Sequence, residues 1–501
     1  MSAATFIPKG LVGVPSDDNA SYAITTLVEE VATEPRITLD LGVNLPLGIY
    51  LGLYAGHLIA HQRILREPHR SQAIVRACSV LLATSLVLLP LWRGVNPEHP
   101  LVDMGVSFGC AFTALRVVAL TVAVTRARMH APSDERDKTD KPVRVSTLRA
   151  YIRELYFSEP TRQTGLDLRV ASKDQRPADP VLSALSALVR GYDVWVDRLG
   201  WNALPSWARY LLRPLLYFGL AQIPLAYTVR HIDYLYLFSM DPTAAVQSLG
   251  VSWPTAIGRW LMATLSLMFA LYLTMLMWYG IVFDLIFMAV GIPSRRDLFY
   301  RPWMSASPRD LWSSRWNLPV QSALTTTVYL PVCQALDTIM RVLLPGLAPP
   351  MPLGKHRQPQ KPAVKDVPPT TVTATVVVDT ATSPTATILP VAFRLNRYVA
   401  AFSVFLVSAL IHEYTLAAAF GRSDYDHLRF FCFHGGVVFA TSMAEMLLSR
   451  ILPASLMPRG RLPFVLGWLL TFACLVVSAQ WFFRPFIRGG LVDSLVYYAL
   501  L

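Results

Sequence analysis

The chain has 501 residues, of which 53% are hydrophobic and 16% charged, and its mean hydropathy is +0.40. Ordinary soluble domains carry about 25% charged residues, so this composition excludes a typical soluble protein. The formal charge of +12 comes from basic residues in loops beside apolar runs, which is the positive-inside pattern of membrane proteins. We therefore expect membrane lipid around the chain and no nucleic-acid partner.

Nine apolar runs are long enough to cross a bilayer, since a spanning helix needs about 20 mostly apolar residues. They are 42–60, 74–92, 105–125, 210–229, 256–290, 320–344, 399–420, 430–448 and 464–483. None of them alternates as the strands of a membrane barrel do. The sequence predicts an all-α fold, a polytopic transmembrane helical bundle of roughly eight to ten spans, with 256–290 forming one tilted helix or a helix plus a re-entrant piece.

Polar stretches between these runs divide the chain into six segments. They are an N-terminal lead (1–40), a first transmembrane group (41–126), a polar basic loop (127–206), a central transmembrane group (207–345), a Pro/Thr-rich linker (346–397) and a C-terminal transmembrane group (398–501). The linker has too few large apolar residues to form a packed core. Basic loops flank 320–344 on both sides, which favours a re-entrant or partly crossing segment in this region.

Within the polar basic loop, residues 182–195 have the apolar spacing of an amphipathic helix. Such a helix lies at the membrane interface or packs against the bundle. The N-terminal lead lacks the basic and apolar regions of a signal peptide, so we expect the first span to direct insertion.

Two histidines of the first group, His57 and His61, are four residues apart, a spacing that suits a metal ion. The ten histidines of the chain are mostly scattered singly, so we expect no metal site and interpret this pair as the end of a span. The five cysteines lie in or near apolar runs without CxxC spacing. We interpret them as small buried side chains and not as disulfides or metal ligands.

A polar segment rich in tryptophan, residues 307–317, precedes the run 320–344. We call it the Trp-rich element. One interpretation is an interfacial belt, because Trp303, Trp312 and Trp316, with the neighbouring arginines, suit the level of the lipid headgroups. In the other interpretation, Asn317 is a buried amide that hydrogen-bonds a thioester carbonyl or part of a cofactor.

His412 lies inside the apolar run 399–420, where an ionisable side chain is costly and is usually kept for a function. A neutral imidazole with a reference pKa of about 6.5 can take a proton from an alcohol. The alternative is a histidine hydrogen-bonded inside a bundle or lining a channel. Ser408 lies one turn earlier on the same face and could orient His412, whereas the adjacent Glu413 points about 100° away.

These elements together resemble the wax synthase-like family, which is related to the membrane-bound O-acyltransferases. Residues 310–317 (DLWSSRWN) are similar to its DFWGRRWN signature, and 408–413 (SALIHE) to its SGxxHE element. Residues 430–436 and Glu445 resemble the span that follows, so the similarity covers roughly residues 290–450. The chain departs from the family pattern at Leu311, Ser313, Ser314 and Ala409.

The resemblance implies an enzyme that transfers an acyl group directly from acyl-CoA to a hydroxyl group, without a permanently bound cofactor or an acyl-enzyme intermediate. It makes His412 the catalytic base and Asn317 its catalytic polar partner. The residues expected to shape the site are Asp310, Trp312, Arg315, Trp316 and Glu413. The residues that support His412 from a neighbouring position are Ser408 and His434.

The resemblance also suggests substrates. We expect an acetyltransferase of the fungal secondary-metabolite type, in the endoplasmic reticulum membrane, which acetylates a lipophilic alcohol such as a terpenoid or meroterpenoid from acetyl-CoA. The alternative within the family is a long-chain wax ester or sterol ester synthase. The alternative from another class is a proton-linked transporter, for which Arg116, Asp284 and Glu445 are the few further ionisable residues in the spans.

Overall fold

The computed structural model describes residues 47–67, 71–93, 100–130, 147–157, 204–235, 249–281, 298–343, 384–451 and 461–489, with residues 243, 246 and 247. The regular structure of these residues is helical and contains no strand, which confirms the predicted all-α transmembrane bundle. The helices are α1 (Leu47–Arg66), α2 (Gln72–Arg93), α3 (Pro100–His130), α4 (Leu148–Phe157), α5 (Ser206–Arg230), α6 (Ile232–Leu235), α7 (Trp253–Tyr279), α8 (Leu318–Leu324), α9 (Leu330–Leu343), α10 (Pro384–Phe420), α11 (Asp426–Ile451) and α12 (Arg461–Arg488).

Six of the described helices are long and apolar enough to cross a membrane, namely α2, α3, α7, α10, α11 and α12. The other three predicted runs are also helical, as α1, as α5 and as α8 and α9 joined by the π-helical turn Thr325–Tyr329. Large apolar side chains cover the outer faces, with Leu81 69% and Ile223 73% exposed, as suits contact with lipid. The predicted end of 256–290 and the predicted amphipathic helix at 182–195 lie outside the described residues.

Helix α4 lies in the segment predicted as a polar loop, and the sequence analysis did not identify it. Its apolar face packs on the first transmembrane group, where Tyr151 and Leu155 are fully buried. The Tyr151 hydroxyl lies 2.8 Å from Nδ1 of His61, and the Thr121 hydroxyl lies 2.9 Å from Nε2. Both nitrogens of this buried imidazole are therefore hydrogen-bonded, and α4 forms part of the first group.

His57 is also held by hydrogen bonds. Its Nδ1 lies 2.6 Å from the Leu53 carbonyl and its Nε2 lies 2.8 Å from the Ser85 hydroxyl. The described part of the chain contains no group of three or more histidine, cysteine or acidic side chains that could hold a metal ion. His57 and His61 therefore act as structural side chains that join α1 to its neighbours.

Helices α10, α11 and α12 form an antiparallel group. Gly435 on α11 permits a close contact with α10, because a Cβ there would lie 3.0–3.1 Å from Phe402 and Phe405. Helix α10 ends at Phe420. The next residue, Gly421, has a positive φ of 67° and donates its N–H to the Ala417 carbonyl, which forms a left-handed cap. Helix α10 begins at Pro384, so the last residues of the segment predicted as linker are helical, and proline is favoured at a first helical position.

We predict that Tyr151→Phe destabilises the protein, because it removes the hydroxyl group from a fully buried imidazole nitrogen of His61. The expected loss is about 1–3 kcal/mol of unfolding free energy. Thermal unfolding in detergent micelles measures it. The matched control is Tyr425→Phe, whose side chain is exposed, and a variant as stable as this control would contradict the role given to the Tyr151–His61 contact.

Candidate active site

The Trp-rich element folds into a compact helical turn around Asp310. The Ser307 hydroxyl accepts a hydrogen bond from the Asp310 N–H (3.1 Å), and the chain continues as a π-helical turn, Leu311–Arg315. The Asp310 carboxylate accepts from the Ser314 hydroxyl (2.7 Å) and from Arg315 Nε (2.6 Å). Asp310 and Arg315 therefore form an ion pair within the turn, and this pair fixes the backbone that carries Trp312.

Trp312 joins the Trp-rich element to the α10–α11 interface. Its ring centroid lies 5.8 Å from that of Phe405, 6.1 Å from Phe431 and 5.2 Å from His434. Its indole Nε1 is buried and has no hydrogen-bond partner in the described part of the chain. A buried N–H group without a partner is rare in native structures, so this atom is a candidate donor to a ligand.

His412 lies on the inner face of α10. It is roughly 120° around the helix from the exposed stripe. That stripe consists of Val399, Phe402, Leu406 and Leu410. The His412 ring is partly buried, and its centroid lies 4.7 Å from that of Phe431 and 6.3 Å from that of Phe108 on α3. Neither ring nitrogen has a hydrogen-bond partner among the residues that the structure describes. This imidazole is therefore placed to receive a ligand.

Asn317 adopts a left-handed conformation (φ 43°) at the start of α8, which asparagine tolerates better than most residues. Its side chain makes no hydrogen bond within the described ranges. The π-helical turn Thr325–Tyr329 and α9 pack on α10, where Asn396 Nδ2 donates to Asp337 Oδ1 (2.9 Å).

Glu413 has a structural partner for each oxygen of its buried carboxylate. Oε1 accepts from the backbone N–H of Leu428 (2.8 Å), in the first turn of α11, and Oε2 accepts from the Ser423 hydroxyl. A carboxylate at a helix N-terminus also interacts favourably with the helix dipole. Glu413 thus ties the end of α10 to the start of α11 and positions His412 without contacting its ring nitrogens.

The same end of the bundle carries a network of charges. Asp426 is buried and lies 3.1 Å from Arg429 and 3.7 Å from Arg484, while Asp424 lies 3.4 Å from Arg488. Buried carboxylates of this kind require paired charges or hydrogen bonds. The network joins α12 to the first turn of α11, close to His412.

The two residues predicted to support His412 have different positions. Ser408 shares the inner face of α10, but its hydroxyl makes no hydrogen bond among the described residues. His434 is buried, and its Nε2 lies 2.9 Å from the Ser478 hydroxyl on α12. Its ring contacts Trp312 (5.2 Å between centroids), so it supports the Trp-rich element instead of His412.

The imidazole beside His412 is that of His427, which the sequence analysis missed. The two ring centroids are 5.3 Å apart at an interplanar angle of 88°. His427 precedes the apolar run 430–448, so it was not considered a residue of a span. Its seven-residue separation from His434, which places both on one helix face, is the signal that could have identified it.

No protein-family model matches the chain, and no curated protein matches it at a significant level. Trp312 and His412 both contact one aromatic side chain, Phe431, with centroid distances of 6.1 and 4.7 Å. Asp310, Arg315 and Glu413 are bound within the protein, and Trp316 packs on Phe299 with centroids 4.5 Å apart.

We predict that Glu413→Gln destabilises the protein by about 1–3 kcal/mol of unfolding free energy. The amide is uncharged, and its NH₂ group replaces one of the two oxygens that accept hydrogen bonds from Leu428 and Ser423. Thermal unfolding in micelles and limited proteolysis of the 421–425 turn measure the effect. The control is Glu445→Gln, whose side chain is exposed on α11. Equal stability of both variants would contradict the role of Glu413 as the link between α10 and α11.

Proposed function

We propose that the protein is a membrane-bound O-acyltransferase of the wax synthase-like type that transfers an acyl group from acyl-CoA to a hydroxyl group of a lipophilic molecule. The observation that supports this proposal most is the position of His412 and its lack of hydrogen-bond partners among the described residues. This imidazole lies on α10, which is long and apolar enough to cross a membrane, and it packs against Phe108 and Phe431 of neighbouring helices. Both of its ring nitrogens lack partners among the described residues. Nearby carboxylates of Asp310, Glu413 and Asp426 are all bonded to protein groups.

The proposed reaction is a direct transfer. A ring nitrogen of His412 takes the proton of the acceptor hydroxyl while the oxygen forms a bond to the thioester carbonyl carbon. The carbon–sulfur bond then breaks, and the leaving thiolate of CoA takes the proton from the imidazolium. Apolar surroundings keep the imidazole neutral before the reaction, as a base requires. No acyl-enzyme intermediate forms.

In this proposal two side chains, Trp312 and Asn317, stabilise the negative oxygen that develops on the thioester carbonyl. Trp312 has a buried N–H without a partner, and the Asn317 amide is unbonded within the described residues. Fixed donors directed at a developing oxyanion are usually a large part of catalysis. In this proposal the ion pair of Asp310 and Arg315 acts by holding Trp312 in place.

The surroundings of His412 support a lipophilic acceptor. Phe108, Phe431 and Phe482 surround the ring with apolar surface. Such surface favours flat apolar molecules with a hydroxyl group over charged or highly hydrated ones. We propose acetyl-CoA as donor, a terpenoid or meroterpenoid alcohol as acceptor and the endoplasmic reticulum as the location. A long-chain wax ester or sterol ester synthase is the alternative within the same chemistry.

We predict that His412→Ala abolishes ester formation, with a loss of at least about 100-fold in kcat, because a positioned base contributes that much to proton transfer. The measurement uses microsomes with radiolabelled acetyl-CoA or palmitoyl-CoA and a panel of terpenoid alcohols, sterols and fatty alcohols. His57→Ala is the control, since it removes a hydrogen-bonded histidine remote in sequence from the site. Full activity of the His412 variant would refute the assignment, and the preferred donor distinguishes acetyl from long-chain transfer.

We predict that Trp312→Phe lowers kcat by about 100- to 1,000-fold, because it keeps an aromatic ring and removes one donor to the oxyanion. The smaller ring also loses packing against Phe405 and Phe431, so thermal unfolding in micelles is measured beside kcat to establish that the variant is folded at the assay temperature. Trp303→Phe, at an exposed position, is the matched control. Equal kcat values for these two variants would exclude the donor role of Trp312.

A second candidate function is a proton-linked transporter. It is favoured by the buried polar side chains of the first group, where Arg116 is 2% exposed and donates to the Leu155 carbonyl beside the buried His61. Proton flux into vesicles loaded with a pH-sensitive dye tests it. Flux that depends on His412, together with no ester from any donor, would favour transport over acyl transfer.

A further inference from the structure

His427 is fully buried at the start of α11, and one of its ring nitrogens has a defined role. Its Nε2 lies 2.8 Å from the Phe482 carbonyl on α12. A carbonyl oxygen can only accept a hydrogen bond, so Nε2 carries the hydrogen atom. The imidazole is neutral in these apolar surroundings, so Nδ1 presents an unprotonated lone pair.

The lone pair of His427 Nδ1 has no hydrogen-bond partner within the described residues. A buried acceptor without a partner is costly and requires an explanation. The rings that contact His427 belong to Phe482, Phe486 and His412. Of these three, only His412 can donate a hydrogen bond.

His412 also requires a hydrogen-bond partner for one of its ring nitrogens. A neutral imidazole has one protonated and one unprotonated nitrogen, and a general base works only when the unprotonated one faces its substrate. The group bonded to the other nitrogen fixes this choice. Ser408 and Glu413, its neighbours along α10, make no hydrogen bond to its ring. The His427 ring, in contact at 5.3 Å between centroids, does have a free acceptor.

We propose that His427 is a positioning residue, whose Nδ1 accepts a hydrogen bond from an N–H of His412 after a small rotation of that side chain. This inference rests on the proposed function for its catalytic consequence. The Phe482 carbonyl fixes the tautomer of His427, and His427 in turn fixes the tautomer of His412. The remaining nitrogen of His412 is then unprotonated and faces the acceptor hydroxyl. When that nitrogen takes the proton of the acceptor hydroxyl, His427 Nδ1 still accepts a hydrogen bond from the other N–H of the His412 imidazolium.

The kinetic test compares two substitutions of His427. His427→Phe keeps a ring and removes both polar atoms, whereas the amide of His427→Gln can donate to the Phe482 carbonyl and accept from His412. We expect His427→Phe to lose about 100-fold in kcat with KM within about threefold, and His427→Gln to regain at least about tenfold. The control is His57→Phe, which removes a hydrogen-bonded histidine of the first group. Equal kcat values for the Phe and Gln variants of His427 would overturn the proposal.

A second measurement does not depend on activity. Solid-state NMR of protein labelled with ¹⁵N-histidine and reconstituted in lipid reports the tautomer of each ring. The signals of His412 are those missing from His412→Ala. We expect a single hydrogen-bonded tautomer in the wild type, a change in these signals in His427→Phe and no change in His57→Phe.

The two measurements separate failure of this inference from failure of the proposed function. Signals of His412 that are unaltered in His427→Phe would overturn the hydrogen bond, whatever the activity. If the wild type makes no ester from any donor, the acyltransferase proposal fails, while the NMR comparison still decides whether His427 orients His412.

Discussion

The Glu413 carboxylate holds together the part of the structure on which the rest of the site depends. A carboxylate near the end of a membrane-crossing helix must find donors within the protein, because lipid supplies none. Glu413 finds them in the first turn of α11 and in the turn that precedes it. These bonds fix how α10 turns into α11, and that turn brings His412 beside His427.

The same constraint separates structural polar groups from those available to a ligand. The imidazole of His61 and the carboxylate of Asp426 are bonded to neighbouring helices, and the carboxylate of Asp310 is bonded within its own turn. By contrast, His427 Nδ1, whose ring contacts His412, and Trp312 Nε1, whose ring contacts Phe431, are buried without hydrogen-bond partners in the described part of the chain. Unpaired polar atoms are costly, so their position around a membrane histidine supports a function there.

The sequence predicted the positions of the helical spans well, and the contacts between helices poorly. Runs of about 20 apolar residues fix a helical span, because no other single segment satisfies its backbone in lipid. Helix α4 escaped notice because a polar loop surrounds it, although its buried Tyr151 and Leu155 lie four residues apart on one face. The tight turn of the Trp-rich element was also unforeseen, since a π-helical turn depends on the ion pair of Asp310 and Arg315 that forms only on folding.

The sequence by itself determined that the chain is a helical membrane bundle and that His412 lies within a span. Both follow from local composition, because the cost of burying a polar group is decided residue by residue. Only the tertiary structure decided which polar groups surround His412. It bound Glu413 to α11, placed His434 against Trp312 and brought His427, fifteen residues away along the chain, into contact with His412. Contacts between helices depend on their packing and turns, which no single span contains.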